Sequence, residues 1–197
     1  MKIVIIKYNA GNIRSVLFAL ERIGAEALVT DEPELIVTAD KIIFPGVGEA
    51  SSAMDYLQER KLDLLIQNLH QPVLGICLGM QLLCAHSEEN ETRCIGIFDE
   101  TVKKFSPFED QHLKVPQVGW NNIYDLQSDL FTGVSQNSFT YFVHVYYVGL
   151  GEKTIAKTDY VQPYSSALQK NNFYGVQFHP EKSAFVGERI LKNFIQL

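Results

Sequence analysis

Two short segments hold residue types that together could perform acyl transfer. Gly75-Ile76-Cys77-Leu78-Gly79 sets a thiol at the end of the apolar run Val73–Ile76, and Phe178-His179-Pro180-Glu181 sets an imidazole and a carboxylate two residues apart far downstream. The apolar run reads as a buried strand and Leu78–Ala85 as the helix that follows it. Cys77 then occupies the sharp strand-to-helix turn on which a nucleophile is exposed. Glycines two residues to either side suit a turn that a Cβ would crowd. Free N–H groups and the dipole at a helix start favour a thiolate there. His179 can act as base and then as acid toward a leaving amine, and Glu181 can hold its outer nitrogen in one tautomer. The leading reading is a Cys-His-Glu hydrolytic site.

Such a site also needs donors for an oxyanion. The Leu78 N–H, next to the nucleophile, is the first. Gly46, Val47 and Gly48, in Pro45-Gly46-Val47-Gly48-Glu49, could bring backbone amides close as the second. A bare Gly-x-Gly is equally an ordinary strand-to-helix turn. The segment lacks the third glycine of a dinucleotide loop and the Gly-Lys-Ser/Thr ending of a phosphate loop. Cys84 falls seven residues beyond Cys77 on an apolar face of the same expected helix and reads as core, and Cys94 has no identifiable base. His144 reads as packed in a strand, though able to line the site if near it. His70, His86 and His112 read as solvated. No group of residues has metal-ligand spacing, so neither metal nor cofactor is expected.

The elements that must position these residues come in two styles. Lys2–Ile6, Glu26–Val29, Lys41–Phe44 and Val73–Ile76 read as strands, the third stopped by Pro45-Gly46. Asn12–Ile23 and Ala50–Leu69 carry helical spacing between them, and Thr30-Asp31-Glu32-Pro33 turns into a short helix. That alternation predicts an α/β fold with a mostly parallel sheet, helices on both faces and ligands beyond the carboxyl ends of the strands. From Ile95 to Phe178, β-branched and aromatic residues with regular turn signals predict an antiparallel extension. Phe173–Phe178 alternates and should carry His179 to the sheet end. Pro180 ends that strand, and an extended backbone would put Glu181 on the same side; Glu181 would equally suit the start of a last helix, Phe185–Gln196. Ser87–Thr92 reads as a surface loop.

The 197 residues suit a single domain spanning 1–197. With 46% hydrophobic and 20% charged residues and a net charge of −6, the chain has an ordinary soluble composition. Nothing in that charge favours nucleic acid or an anionic membrane. The apolar opening is interrupted at Lys7, too early for a signal core or a membrane span. Three cysteines fit a reduced, cytoplasmic setting.

Gly75-Ile76-Cys77-Leu78-Gly79-Met80-Gln81 with His179-Pro180-Glu181 resembles the class I, triad-type glutamine amidotransferases. Tyr8–Val16, Pro45–Gly48, Val118-Gly119-Trp120-Asn121, Tyr141–His144 and Asn172–Ser183 further resemble the glutaminase subunits of imidazole glycerol phosphate synthases of histidine biosynthesis. The resemblance implies that Cys77 attacks the side-chain amide of L-glutamine, His179 protonates the departing ammonia and Glu181 holds His179. It implies an oxyanion strand at Pro45–Gly48 and glutamine binding by Gln81, His144, Val145 and Tyr146. It also implies ammonia delivery to a (β/α)8-barrel cyclase subunit contacting Asn12, Trp120, Tyr141 and Lys182, although Trp120 and Tyr141 would also serve as core. The chain departs from the pattern at Lys7, where an acid is common, at Gln117-Val118 in place of His-Met, and at Val145 in place of Ser or Thr. A paralogous glutaminase feeding another synthase, such as one aminating a surface-polysaccharide sugar, would share the triad. A cysteine hydrolase of similar shape more often has His after its nucleophile, where Leu78 stands. A non-catalytic module would more often have lost the thiol.

Overall fold

Alternation along three short strands decides which helices cover which face. The computed structural model describes residues 1–9, 11–107 and 113–197, so the expectation for His112 lies outside the described residues. Strand β1 (Ile3–Ile6) leads through helix α1 (Ile13–Arg22) to β2 (Ala27–Thr30), and α2 (Pro33–Val37) leads to β3 (Lys41–Gly46). Helices α3 (Ala50–Glu59) and α4 (Leu62–Gln67) precede β4 (Val73–Cys77) and α5 (Leu78–Leu82). Val4, Ile6, Ile42, Phe44 and Val73 pack with the apolar stripes of α3 and α4 on one face. Ile3, Ile5, Ile43, Leu74 and Ile76 pack on the other face with Val16, Ala19 and Leu20 of α1 and with the last helix, α6 (Ala184–Gln196). Period-two strands and helices with one apolar stripe can close two cores only in this layered way.

The remaining strands are β5 (Cys84–Ser87), β6 (Thr92–Arg93), β7 (Phe98–Lys104), β8 (Gln117–Ile123), β9 (Ser138–His144), β10 (Tyr146–Val148), β11 (Thr154–Asp159), β12 (Pro163–Lys170) and β13 (Phe173–Val176). The main sheet runs β2-β1-β3-β4-β13-β12-β10-β7-β5-β6, with β11 paired to β12, and β8 and β9 form a separate hairpin-like pair. From β2 to β13 every pairing is parallel, and from β13 to β7 the pairings are antiparallel. The antiparallel extension stands where the aromatic second half predicts it.

Three boundaries differ from the sequence expectations. Strand β3 does not stop at Phe44: Pro45 and Gly46 continue it, opposite Ile76 and Cys77 of β4. Beyond Ile43 it has lost its β1 partner, so the missing N–H of Pro45 costs the ladder nothing on that side. The Ala50–Leu69 helix breaks in two at Lys61, which has φ 56°. The helix after Cys77 lasts five residues, and Cys84 lies in strand β5, not on the helix. Its carbonyls are captured by the chain doubling back: the N–H groups of Ile95, Ile97 and Gly96 donate to Leu82, Leu83 and Cys84. Cys84 is nonetheless core, fully buried, and burial pushes its thiol up.

Candidate active site

Cys77 sits at the carboxyl end of β4 with φ 53° and ψ −109°, a strained conformation for any residue with a Cβ. The flanking glycines make the turn possible. A Cβ on Gly75 would lie 2.8 Å from the Met80 nitrogen, and one on Gly79 would lie 1.7 Å from the Phe44 carbonyl oxygen. The thiol is nearly buried and opens onto a cleft of about 300 Å³. Val47, Gly48, Leu78, Gln81, His179 and the run Val143–Tyr146 line that cleft, together with Glu89 and Lys182.

His179 reaches the same place from the next strand. Its N–H donates to the Tyr141 carbonyl (2.8 Å), and Ser183 Oγ donates to the His179 carbonyl (2.6 Å). His179 Nδ1 lies 2.7 Å from Glu181 Oε1, both side chains being buried. The extended backbone expected between them is absent. Pro180–Lys182 is a 3-10 turn, and that turn folds Glu181 back under the ring. Close approach of α6 to the turn is allowed by Gly187, whose Cβ would lie 1.8 Å from the Pro180 carbonyl oxygen. Burial alone would push the His179 imidazole down; hydrogen bonds to Cys77 and Glu181 and their charge outweigh it and raise it to about 10. A protonated His179 facing Cys77 is the arrangement that favours an anionic sulfur.

Asn12 has a place the sequence did not suggest. With φ 73° at the start of α1, its Nδ2 donates to Glu181 Oε1 and stands 3.4 Å from His179 Nδ1. Two donors therefore converge on one carboxylate oxygen. Glu181 Oε2 is buried without a partner among the described residues.

The cleft walls follow from the register. Gly46 pairs with Cys77 but faces Tyr8 and Leu78 beneath the cleft, whereas Val47 and Gly48 form its rim. Gly48 has φ 118°, a conformation that needs glycine. His144 ends β9 buried. Burial lowers it to about 4, the bond to Tyr146 opposes this and the nearby His179 adds to it. The neutral ring donates from Nδ1 to the Tyr146 carbonyl (2.7 Å), leaving Nε2 to accept from the Tyr164 hydroxyl at 3.3 Å. Tyr164 has one proton but also faces Gln117 Oε1 at 3.0 Å, while Gln117 Nε2 is buried without a partner among the described residues. Turning the Gln117 amide over gives the Tyr164 proton one acceptor: Gln117 Nε2 donates to Tyr164, and Tyr164 donates to His144. Val145 offers no hydroxyl, and its carbonyl accepts from the Phe105 N–H (3.1 Å).

Glu89 is a cleft residue hidden in the polar stretch read as a surface loop. Its carboxylate accepts from the Ala50 N–H at 2.7 Å, clipping the loop to the start of α3. Burial raises its carboxyl, the Ala50 N–H opposes that, and Glu49 adds to it. Trp120 and Tyr141 are not core. They pair across β8 and β9 on an outward face with Val118 opposite Val143 and Asn122 opposite Phe139. Trp120 is 53% exposed, Val118 60% and Phe139 58%. Lys182 sits over the Tyr141 ring at 5.9 Å. His70 is exposed, and His86 is half-exposed and paired with Glu91.

The family model for class-I glutamine amidotransferases matches residues 5–197. The chain belongs to the class-I glutamine amidotransferase family. Among its relatives, the protein named imidazole glycerol phosphate synthase subunit HisH of Bacteroides fragilis (strain ATCC 25285) is 58% identical over the full length of both chains. Those of the same name from Bacteroides thetaiotaomicron and Escherichia coli K12 are 55% and 45% identical, again over all of both chains. Solved amidotransferase structures share the fold at low identity. A putative GMP synthase protein of Thermoplasma acidophilum superposes with a TM-score of 0.76 at 19% identity, covering 100% of this chain and 92% of that one. A structure described as a glutamine amidotransferase gives 0.75 at 16% identity, covering 98% and 97%. Among the described residues of this amidotransferase no helix is long and apolar enough to cross a membrane.

Proposed function

We propose that this chain is the glutaminase subunit of a cytoplasmic, two-chain imidazole glycerol phosphate synthase in histidine biosynthesis, folded as one domain. Full-length identity of 58% to a subunit of that name carries the reading, and the meeting of Cys77 and His179 in one cleft, with Glu181 buried behind the His179 ring, supports it. Cys77 Sγ attacks the carboxamide carbon of L-glutamine. The developing oxyanion faces the Leu78 N–H and the Val47–Gly48 rim. His179 gives its proton to the leaving ammonia, and water then releases glutamate from the thioester with His179 as base. Glu89 is the acidic side chain suited to the α-ammonium group of glutamine. Gln81, His144, Val145 and Tyr146 form the opposite wall.

The outward β8–β9 face suits the synthase partner. Val118, Trp120, Phe139, Tyr141 and Val143 make it apolar, and Val143 belongs to both that face and the cleft. A (β/α)8 cyclase seated there would receive ammonia at its source, with Lys182 at the edge. Ammonia made without an acceptor is wasted, so isolated glutaminase activity should be low. Mixing the chain with such a cyclase and its ribulosyl substrate is expected to raise glutamate release at least about tenfold. No rise, with Cys77 still labelled by a glutamine-like electrophile, would assign the glutaminase to another synthase.

Convergence of Asn12 and His179 on Glu181 Oε1 also ranks two variants. Glu181→Gln can keep its carbonyl toward both donors and so keep the ring in place. It should lose about 10- to 100-fold in kcat, against about 10⁴-fold for His179→Ala, which removes the proton carrier. Steady-state kinetics of the complex would measure both, and equal losses would refute the division of roles.

A further inference from the structure

One buried polar chain in the cleft wall is left over once the nucleophile, base and orienting acid have been assigned. The Tyr146 carbonyl accepts from Gln81 Nε2 at 3.2 Å. Gln81 Nε2 also donates to Gln177 Oε1 at 3.0 Å, and Gln177 Nε2 donates to Cys77 Sγ at 3.7 Å. Gln177 is fully buried and Gln81 nearly so.

The polarity of this chain is forced. A backbone carbonyl can only accept, so the atom Gln81 turns toward Tyr146 must be its nitrogen. The same amide nitrogen has two hydrogens, and the second points at Gln177. Gln177 must therefore answer with its oxygen, which leaves its nitrogen toward the sulfur. Reversing both amides would press two buried oxygens together at Tyr146. The His144 Nδ1–H, on the second lone pair of the Tyr146 carbonyl, holds that carbonyl in place.

We propose that Gln177, oriented by Gln81, is a positioning residue that holds Cys77 Sγ in its anionic, attacking form. This rests on the reading of Cys77 as the nucleophile. Gln177 stands two residues before His179, just beyond the end of β13, so two groups serve one sulfur: Gln177 Nε2 by direct contact, and His179 by the interaction with Cys77 that raises it. The thiol's alternative contact, S–H to the Val143 carbonyl at 3.8 Å, exists only for the protonated form. A fixed donor at Gln177 thus discriminates between the two forms, and a packing residue would not.

The titratable groups facing Cys77 are His179 with Glu181 behind it, Tyr8 beyond β1 and Tyr164 on β12; His144, Glu89 and Lys182 share the cleft. All stay in place when an amide is changed. The test is the pH dependence of iodoacetamide alkylation at Cys77 in the isolated full chain, read by mass spectrometry. Cys84 is fully buried, and burial pushes Cys94 up to about 12, with Glu89 adding to it, so the reaction near neutral pH reports Cys77. Gln177→Met, equal in length but without a donor, should slow alkylation at pH 7 about 10- to 100-fold. It should also move the profile about one unit or more to higher pH. Gln81→Met should move it the same way by less, since Gln177 remains but is free to turn over. In the complex, Gln177→Met should lower kcat for glutamine and leave KM within about threefold.

Unchanged profiles in both variants would overturn the proposal while leaving the glutaminase reading standing. Should Gln177→Met fail to fold, as read by its thermal unfolding, the Gln81→Met profile decides alone. A wild-type Cys77 no more reactive than Cys84 or Cys94 would overturn the nucleophile reading and this proposal with it.

Discussion

Cys77→Ala is expected to reduce glutamine-dependent glutamate release by at least about 10⁴-fold, down to what oxyanion donors and binding alone provide. No other thiol can substitute. Cys84 lies in β5 and Cys94 beyond β6, both buried outside the cleft lining, and burial holds both thiols up. The variant should still fold. Alanine keeps the Cβ already accommodated at φ 53°, and the glycines that permit the turn are untouched. In the proposed two-chain synthase, synthesis from ammonium salts should therefore persist, because a cyclase fed by this subunit would need only ammonia. Measuring glutamate release and ammonia-dependent product formation on one preparation separates the possibilities. Loss of both would make Cys77 structural or the partner assignment wrong.

The difference between what was legible in the sequence and what was not follows the range of the interactions. Helix α1 could be read because one stripe, Val16, Leu20 and their neighbours, is written at helical spacing and closed by Gly24 at φ 76°. Cys77 could be read because its turn is local: both glycines that admit it lie within two residues. The Glu181 side was legible for a reason that did not hold. Proximity to His179 was right, but a 3-10 turn supplies it rather than extended backbone, and Gly187 on the following helix is what leaves room for the turn.

What escaped the sequence depends on distant segments. The length of α5 is set by the N–H groups of Ile95, Gly96 and Ile97, which no pattern around Cys84 announces. Glu89 looks like a solvated acid until α3 offers it the Ala50 N–H across the cleft rim. Asn12 carries its amide to Glu181 from the other end of the chain. Gln177 reads in the sequence as one polar position in the alternating Phe173–Phe178 run, and only the fold sets its amide against Cys77. The Gln117 departure is explained only once Tyr164 and His144 are beside it.

The second large effect expected is on stability, from Gly79→Ala. Gly79 lies in the first turn of α5, outside the positive-φ region, where alanine would ordinarily favour the helix by about 1 kcal/mol. Sterics reverse that sign. The new Cβ would lie 1.7 Å from the Phe44 carbonyl oxygen and 2.8 Å from its carbon. Those are backbone atoms of β3, paired with β4 at Phe44 and Gly75 and unable to turn aside as a flexible side chain could. Relief requires α5 to lift from the sheet, which costs about 3 kcal/mol or more by overpacking and lowers Tm by about 6–12 °C for a chain of this size. It also carries the Leu78 N–H away from the proposed oxyanion position, so activity should fall even in molecules that remain folded. Gly24→Ala makes the comparison. With φ 76° and open space around it, that change should cost only the backbone strain, about 1 kcal/mol, and leave activity intact. Differential scanning calorimetry with glutaminase assays on both variants reads the two effects. A Gly79→Ala protein as stable and active as its parent would mean that α5 does not seat on β3 at Phe44, and the account of how the fold holds Cys77 would fall with it.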